Sequence, residues 1–109
     1  MSIGQTIYSP PVEIAYLAGF FDGEGCISVV RGGPTIAVAV VQVDRRPLDA
    51  LAEHYGGRVA PHGKPKPGHR QAYRWQIYSA NARVFLRDIL PFLVVKRESA
   101  EMVLAMTDS

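Results

Sequence analysis

The chain has 109 residues, a formal net charge of +2, 48% apolar residues and one cysteine. That length supports one domain with a modest core, and the apolar fraction with charges of both signs excludes a disordered chain. A lone Cys26 excludes an intramolecular disulfide and zinc sites built on paired cysteines, and no apolar run approaches the roughly 20 residues that span a bilayer.

The N-terminus lacks a basic region followed by an apolar stretch, so the sequence reads as that of an intracellular protein (of cytoplasm or nucleoid if prokaryotic or phage-encoded) with no membrane partner. No linker divides it, and residues 1–109 read as one domain. The first helix is expected to start near Ser9-Pro10-Pro11, with Glu13 near its positive end. Ile14, Leu17 and Phe21 recur at helical spacing, Ala15, Ala18 and Gly19 form a side of small residues, and Gly23 and Gly25 end the helix. Two strands follow, Ile27 to Arg31 and Thr35 to Val43, around a Gly32-Gly33-Pro34 turn. In the second strand Ile36, Val38 and Val40 are assigned to the core, and Thr35, Ala37 and Ala39 to an open face. Asp44 is the expected N-cap of a second helix, with Pro47 in its first turn, Leu48, Leu51 and Ala52 as its stripe, and Gly56-Gly57 at its end. A second hairpin runs from Arg58 to Ala60, then through a loop, then from Gln71 to Tyr78. Tyr73, Trp75 and Ile77 should face the core, and Arg74 and Gln76 the outside. Ser79 is the expected cap of a third helix, with Ala82, Phe85, Leu86 and Ile89 inward and a stop before Pro91. A last short helix holds Ala100, Val103 and Leu104. This order predicts an α+β domain with helices on one face of an antiparallel sheet and the other face open.

Two features carry chemistry. Leu17-Ala18-Gly19-Phe20-Phe21-Asp22-Gly23-Glu24-Gly25 sets a carboxylate just past the last turn of a helix, facing the negative end of the helix dipole. A cation held there would answer that placement. From His54 to Arg87 there are seven Lys/Arg and no Asp or Glu, including the stiff basic loop His62-Gly63-Lys64-Pro65-Lys66-Pro67-Gly68-His69-Arg70. A one-signed segment of this kind is either an electrostatic footprint for phosphate or a solvated loop. Arg74 and Gln76 can donate hydrogen bonds to bases or phosphates. His54, His62 and His69 are not at metal-ligand spacing, and there is no EF-hand loop, P-loop or nucleophile elbow.

Leu17 to Gly25 resembles the signature of the LAGLIDADG homing endonucleases. Val41-Gln42-Val43-Asp44-Arg45 is similar to the family segment at the end of the second strand. Pro91-Phe92-Leu93-Val94-Val95-Lys96-Arg97-Glu98 is similar to the segment before the last core helix. The three fall in the family's order and the resemblance covers nearly the whole chain. It implies the αββαββα fold and a site-specific double-strand DNA endonuclease using Mg²⁺ or Mn²⁺, with no organic cofactor. With a single motif it implies a homodimer on a long, near-palindromic site.

By the same resemblance Glu24 is the metal-binding acid, where the family name has Asp, and Gly23 lends its carbonyl oxygen. Gln42 orients water, or is a strand-end glutamine bonding solvent. Lys96 stabilises developing charge in the active site, or is a solvated lysine at a helix start. Asp22 is structural or a metal ligand. Ala15, Ala18, Gly19 and Asp22 form the dimer seam, with ordinary packing within one chain as the alternative for the small residues. DNA contacts fall to Ser28, Val30, Arg31, Thr35 and Ala37 of the first hairpin, to Arg45, and to Arg58, Lys64, Lys66, Arg70, Arg74 and Gln76 of the second. The rival expectation is a protein of this fold that binds DNA without cutting it, as a regulator or RNA maturase. The sparse, apolar surface of the first hairpin speaks for it.

Overall fold

A computed structural model describes residues 10–30 and 35–107. Arg31 and the Gly32-Gly33-Pro34 turn lie outside the described residues, as does Ser9. The elements in chain order are α1 (Pro10–Glu24), β1 (Gly25–Val30), β2 (Thr35–Gln42), α2 (Arg46–Tyr55), β3 (Arg58–His62), β4 (Ala72–Tyr78), α3 (Ser79–Ile89), a 3₁₀ turn (Leu90–Phe92) and α4 (Arg97–Thr107). The four strands form one antiparallel sheet in the order β1-β2-β4-β3. Both hairpins of the expected α+β fold are therefore present, joined in the middle by β2 and β4.

One face of the sheet carries Ile36, Val38, Val40, Trp75 and Ile77, which close a single core with Leu17, Ala18 and Phe21 of α1, Leu48 and Leu51 of α2, Ala82, Phe85, Leu86 and Ile89 of α3, and Ala100, Val103 and Leu104 of α4. Phe85 is its centre. Its ring meets Phe21 edge-on at 5.0 Å, Tyr55 at 4.9 Å and Trp75 at 5.3 Å. Such edge-to-face pairs add to the burial of the rings themselves. Trp75 donates its indole N–H to the Gly56 carbonyl at 2.9 Å, so the buried polar atom is satisfied.

Element boundaries depart from the sequence reading at several points. Glu24 is the last residue of α1 rather than beyond it, and β1 begins at once with Gly25. Glycine is required at this turn, because a Cβ on Gly25 would run into the Phe21 ring. Strand β3 runs on through Pro61, which an edge strand tolerates because it needs one ladder of donors only. Arg45, not Asp44, holds the capping position of α2, yet the Asp44 carboxylate still accepts the Arg46 N–H at 3.0 Å. Ser79 is the first residue of α3 with φ +52, and Tyr78 precedes the helix without a side-chain cap.

The open face also needs one correction. Ala37 and Ala39 point to it but are only 4% and 6% exposed. Each is a methyl group on a central strand, sunk between larger cross-strand neighbours: Ser28 and Tyr78 beside Ala37, Cys26 and Gln76 beside Ala39.

Candidate active site and nucleic-acid interface

Helix α1 delivers the candidate acid. Leu17, Ala18 and Phe21 turn inward and fix its rotation against the sheet and α3. His54 Nε2 lies 3.1 Å from Glu13 Oε1 and ties its opening turn to α2. Its apolar residues are not confined to one stripe. Tyr16 is 60% exposed, Phe20 is half-buried, and Gly19 and Gly23 are exposed, with nothing within 4 Å of where a Cβ would stand on either glycine. Ala18 is fully buried in the chain's own core and Ala15 is half-buried, so the bare strip of the helix consists of Gly19 and Gly23 rather than Ala18. Glu24 follows at the end of this strip, exposed.

The neighbouring acid does something the sequence did not reveal. Asp22 accepts three backbone hydrogen bonds, from Val94 (3.0 Å), Val95 (3.0 Å) and Lys96 (2.8 Å), just ahead of α4. Lys96 returns the contact by donating its Nζ to the Asp22 carbonyl at 2.7 Å. Desolvation pushes the Asp22 carboxyl upward, but the three N–H groups and the Lys96 ammonium outweigh it and hold the pKa below the ordinary carboxylate value. Asp22 thus clamps the start of α4 to the end of α1. Both its oxygens are engaged, which favours the structural alternative over metal ligation.

The clamp sets Lys96 on the wall of a shallow cavity of about 240 Å³, lined also by Gly25, Cys26, Ile27 and Ser99. Lys96 is therefore beside the residue that follows Glu24. Gln42 ends β2 two residues past Val40, the partner of Gly25, at the same end of the sheet. It pairs with Tyr73, and its Oε1 accepts the Val43 N–H at 2.8 Å, leaving the amide nitrogen for another partner. Among the described residues no group of three or more His, Cys, Asp or Glu side chains is arranged to hold a metal ion. One chain offers an exposed Glu24 carboxylate and the Gly23 carbonyl. These are hard oxygen donors that fit Mg²⁺ in kind.

The open face can be mapped from the strand register. Val30 stands opposite Thr35, Ser28 opposite Ala37 and then Tyr78, and Cys26 opposite Ala39, then Gln76, then Arg58. Val41 stands opposite Arg74, then Ala60. Ser28, Val30, Thr35, Ala37, Arg58, Arg74 and Gln76 thus share one face, and none of its described strand positions is acidic. Lys64, Lys66 and Arg70 are exposed in the β3–β4 loop. Arg45 is placed differently. Its guanidinium bonds Asp49 at 3.2 Å and stacks 4.9 Å over the Tyr73 ring, so its charge is already partnered. Arg46 pairs with Asp44 at 2.6 Å, and that hydrogen bond is the main reason the Asp44 carboxyl falls to about 2.

The fold and site define an α+β protein with an open sheet face, free of acids at its described strand positions, and a helix that leaves two glycines bare and ends in an exposed acid. The chain belongs to the LAGLIDADG family: residues 11–90 match the model of the LAGLIDADG-like domain. Among solved structures, an archaeal intron-encoded homing endonuclease, I-Vdi141I, complexed with DNA, is similar with a TM-score of 0.69 at 23% identity over 92% of this chain and 69% of that one. The homing endonuclease I-CvuI in complex with the I-CreI target is similar with a TM-score of 0.67 at 23% identity, covering 89% of this chain and 66% of the other. I-CvuI with a second target gives 0.61 at 20% identity, over 90% and 67%. This chain spans about two thirds of the length of each. Among curated protein sequences none matches it.

Proposed function

We propose that the protein is a site-specific double-strand DNA endonuclease that works as a twofold homodimer on a long, near-palindromic site with Mg²⁺ or Mn²⁺. The observation that carries this reading is the outer side of α1, where Gly19 and Gly23 stand bare and lead to an exposed Glu24. Two such helices meeting along their glycines bring two Glu24 carboxylates to one seam. Two anions at two negative helix ends repel, and the shared oxygen donors of Glu24 and Gly23 then call for divalent cations. When bound, such a cation polarises the scissile phosphate and lowers the pKa of its water. Lys96, anchored through Asp22, supplies a fixed positive charge near the developing negative charge on phosphorus. Gln42 keeps an amide donor at the same end of the sheet for orienting water. The open face of each subunit covers half the site, and Lys64, Lys66 and Arg70 reach phosphates.

Incubation with a random duplex library and Mg²⁺, followed by sequencing of cut ends, tests the proposal. Wild-type protein should give a defined cut sequence. Glu24→Gln should bind the same DNA and leave it uncut. Retained cleavage by Glu24→Gln would contradict the assignment. Wild-type binding without cut ends in either metal would favour the rival, a regulator or maturase of this fold, to which the shallow, small-residue floor of the first hairpin is suited.

A further inference from the structure

On the open face Arg74 donates its Nε–H to Gln76 Oε1 at 2.8 Å. The two residues are half-buried neighbours on one side of β4. A guanidinium has donors only, so the amide end facing it must be the oxygen. The other end, Nε2, is then the part of Gln76 left for a partner. Arg58 stands directly opposite Gln76 on β3 and adds a second guanidinium. Neither Arg58 nor Arg74 pairs with a carboxylate among the described residues. The cross-strand neighbours, Ala39 and Val41 on β2 and Ala60 on β3, are small or apolar and add no side-chain acceptor.

We infer that Arg74, Gln76 and Arg58 form a reading head with its donors turned outward that selects guanine in each half-site. The inference rests on the proposed DNA-binding function and deepens it. A glutamine reads adenine by accepting from N6 and donating to N7 at once, which needs an outward amide oxygen. Here that oxygen is turned along the strand to Arg74. Guanine presents two acceptors in the major groove, N7 and O6, and no donor there. A surface that turns donors outward from these three residues matches that edge, and the Gln76 oxygen, held toward Arg74, is not aimed at the N6 donor of adenine. Arg74 thereby does two things: it reads directly, and it fixes the sense in which Gln76 reads.

Selection of bound duplexes from a random library tests this, with purified full-length protein and no cleavage required. Wild-type protein should enrich guanine at one position of each half-site, by roughly 5- to 150-fold over adenine. Arg74→Met keeps the aliphatic bulk, frees the Gln76 oxygen and should move that position from guanine toward adenine. Gln76→Met should weaken the guanine preference there and leave other positions unchanged. A wild-type preference for adenine, no preference, or a guanine preference untouched by both variants overturns the inference while leaving DNA binding standing. Failure of the wild type to bind any duplex at low salt overturns the DNA-binding function together with it.

Discussion

At the scale of single residues, Asp22 and Glu24 show how two acids of one motif divide the work. Glu24 is exposed with its carboxylate uncommitted, whereas Asp22 spends its charge on three N–H groups before α4. Because the folded pKa of Asp22 lies below its unfolded value, the unfolded chain binds more protons in the window between them. The stabilisation is therefore present above the ordinary carboxylate pKa and is lost as pH falls through the lowered one. Asp22→Asn should flatten that acid limb in urea unfolding followed against pH. It should also lower cleavage by loosening the N–H clamp that positions Lys96, without abolishing DNA binding. Neither the clamp nor the Arg74–Gln76 bond was legible in the sequence. One joins residues more than seventy positions apart, and the other depends on a side-chain rotamer. Glu24 was legible as an acid against a helix end, and the register of Arg74 and Gln76 followed from alternation with Tyr73, Trp75 and Ile77.

At the scale of elements, α1 and β1 are set by packing that few residues control. Gly25→Ala would drive a methyl into the buried Phe21 ring. Overpacking of that kind costs about 1–3 kcal/mol, visible as a drop in the urea midpoint. Phe85→Ala removes the ring that three other aromatics meet edge-on. It should cost about 3–5 kcal/mol in the same measurement. Gly19→Leu is different, since nothing lies within 4 Å of an added Cβ and leucine is the better helix former. Thermal unfolding of the isolated chain should be unharmed, while sedimentation should shift to monomer and cleavage should be lost. The elements themselves were legible because helical and alternating patterns were strong in α3 and β4. Their ends were not. Ser79 suggested a cap but adopts φ +52 inside the helix start, and Asp44 caps from one residue further out. Ala18 read as part of a seam because small residues suit close helices, yet it fills the chain's own core.

At the scale of the whole molecule, the chain packs its helices on one face of the sheet and leaves the other open, with an exposed Glu24 at the end of α1. The fold was legible because the periodicity changed from helix to strand in a definite order and the nonapeptide carried a family pattern. The open face was less so, because alternation assigned Ala37 and Ala39 to it without showing that their neighbours would bury them. The central claim is that two copies share one catalytic seam. Mixing wild type with Glu24→Gln, under conditions that exchange subunits, and measuring double-strand cleavage against the wild-type fraction tests it most directly. Shared seams predict that activity falls as the square of the wild-type fraction. A fall in direct proportion would mean that each chain carries a complete site, and would contradict the account.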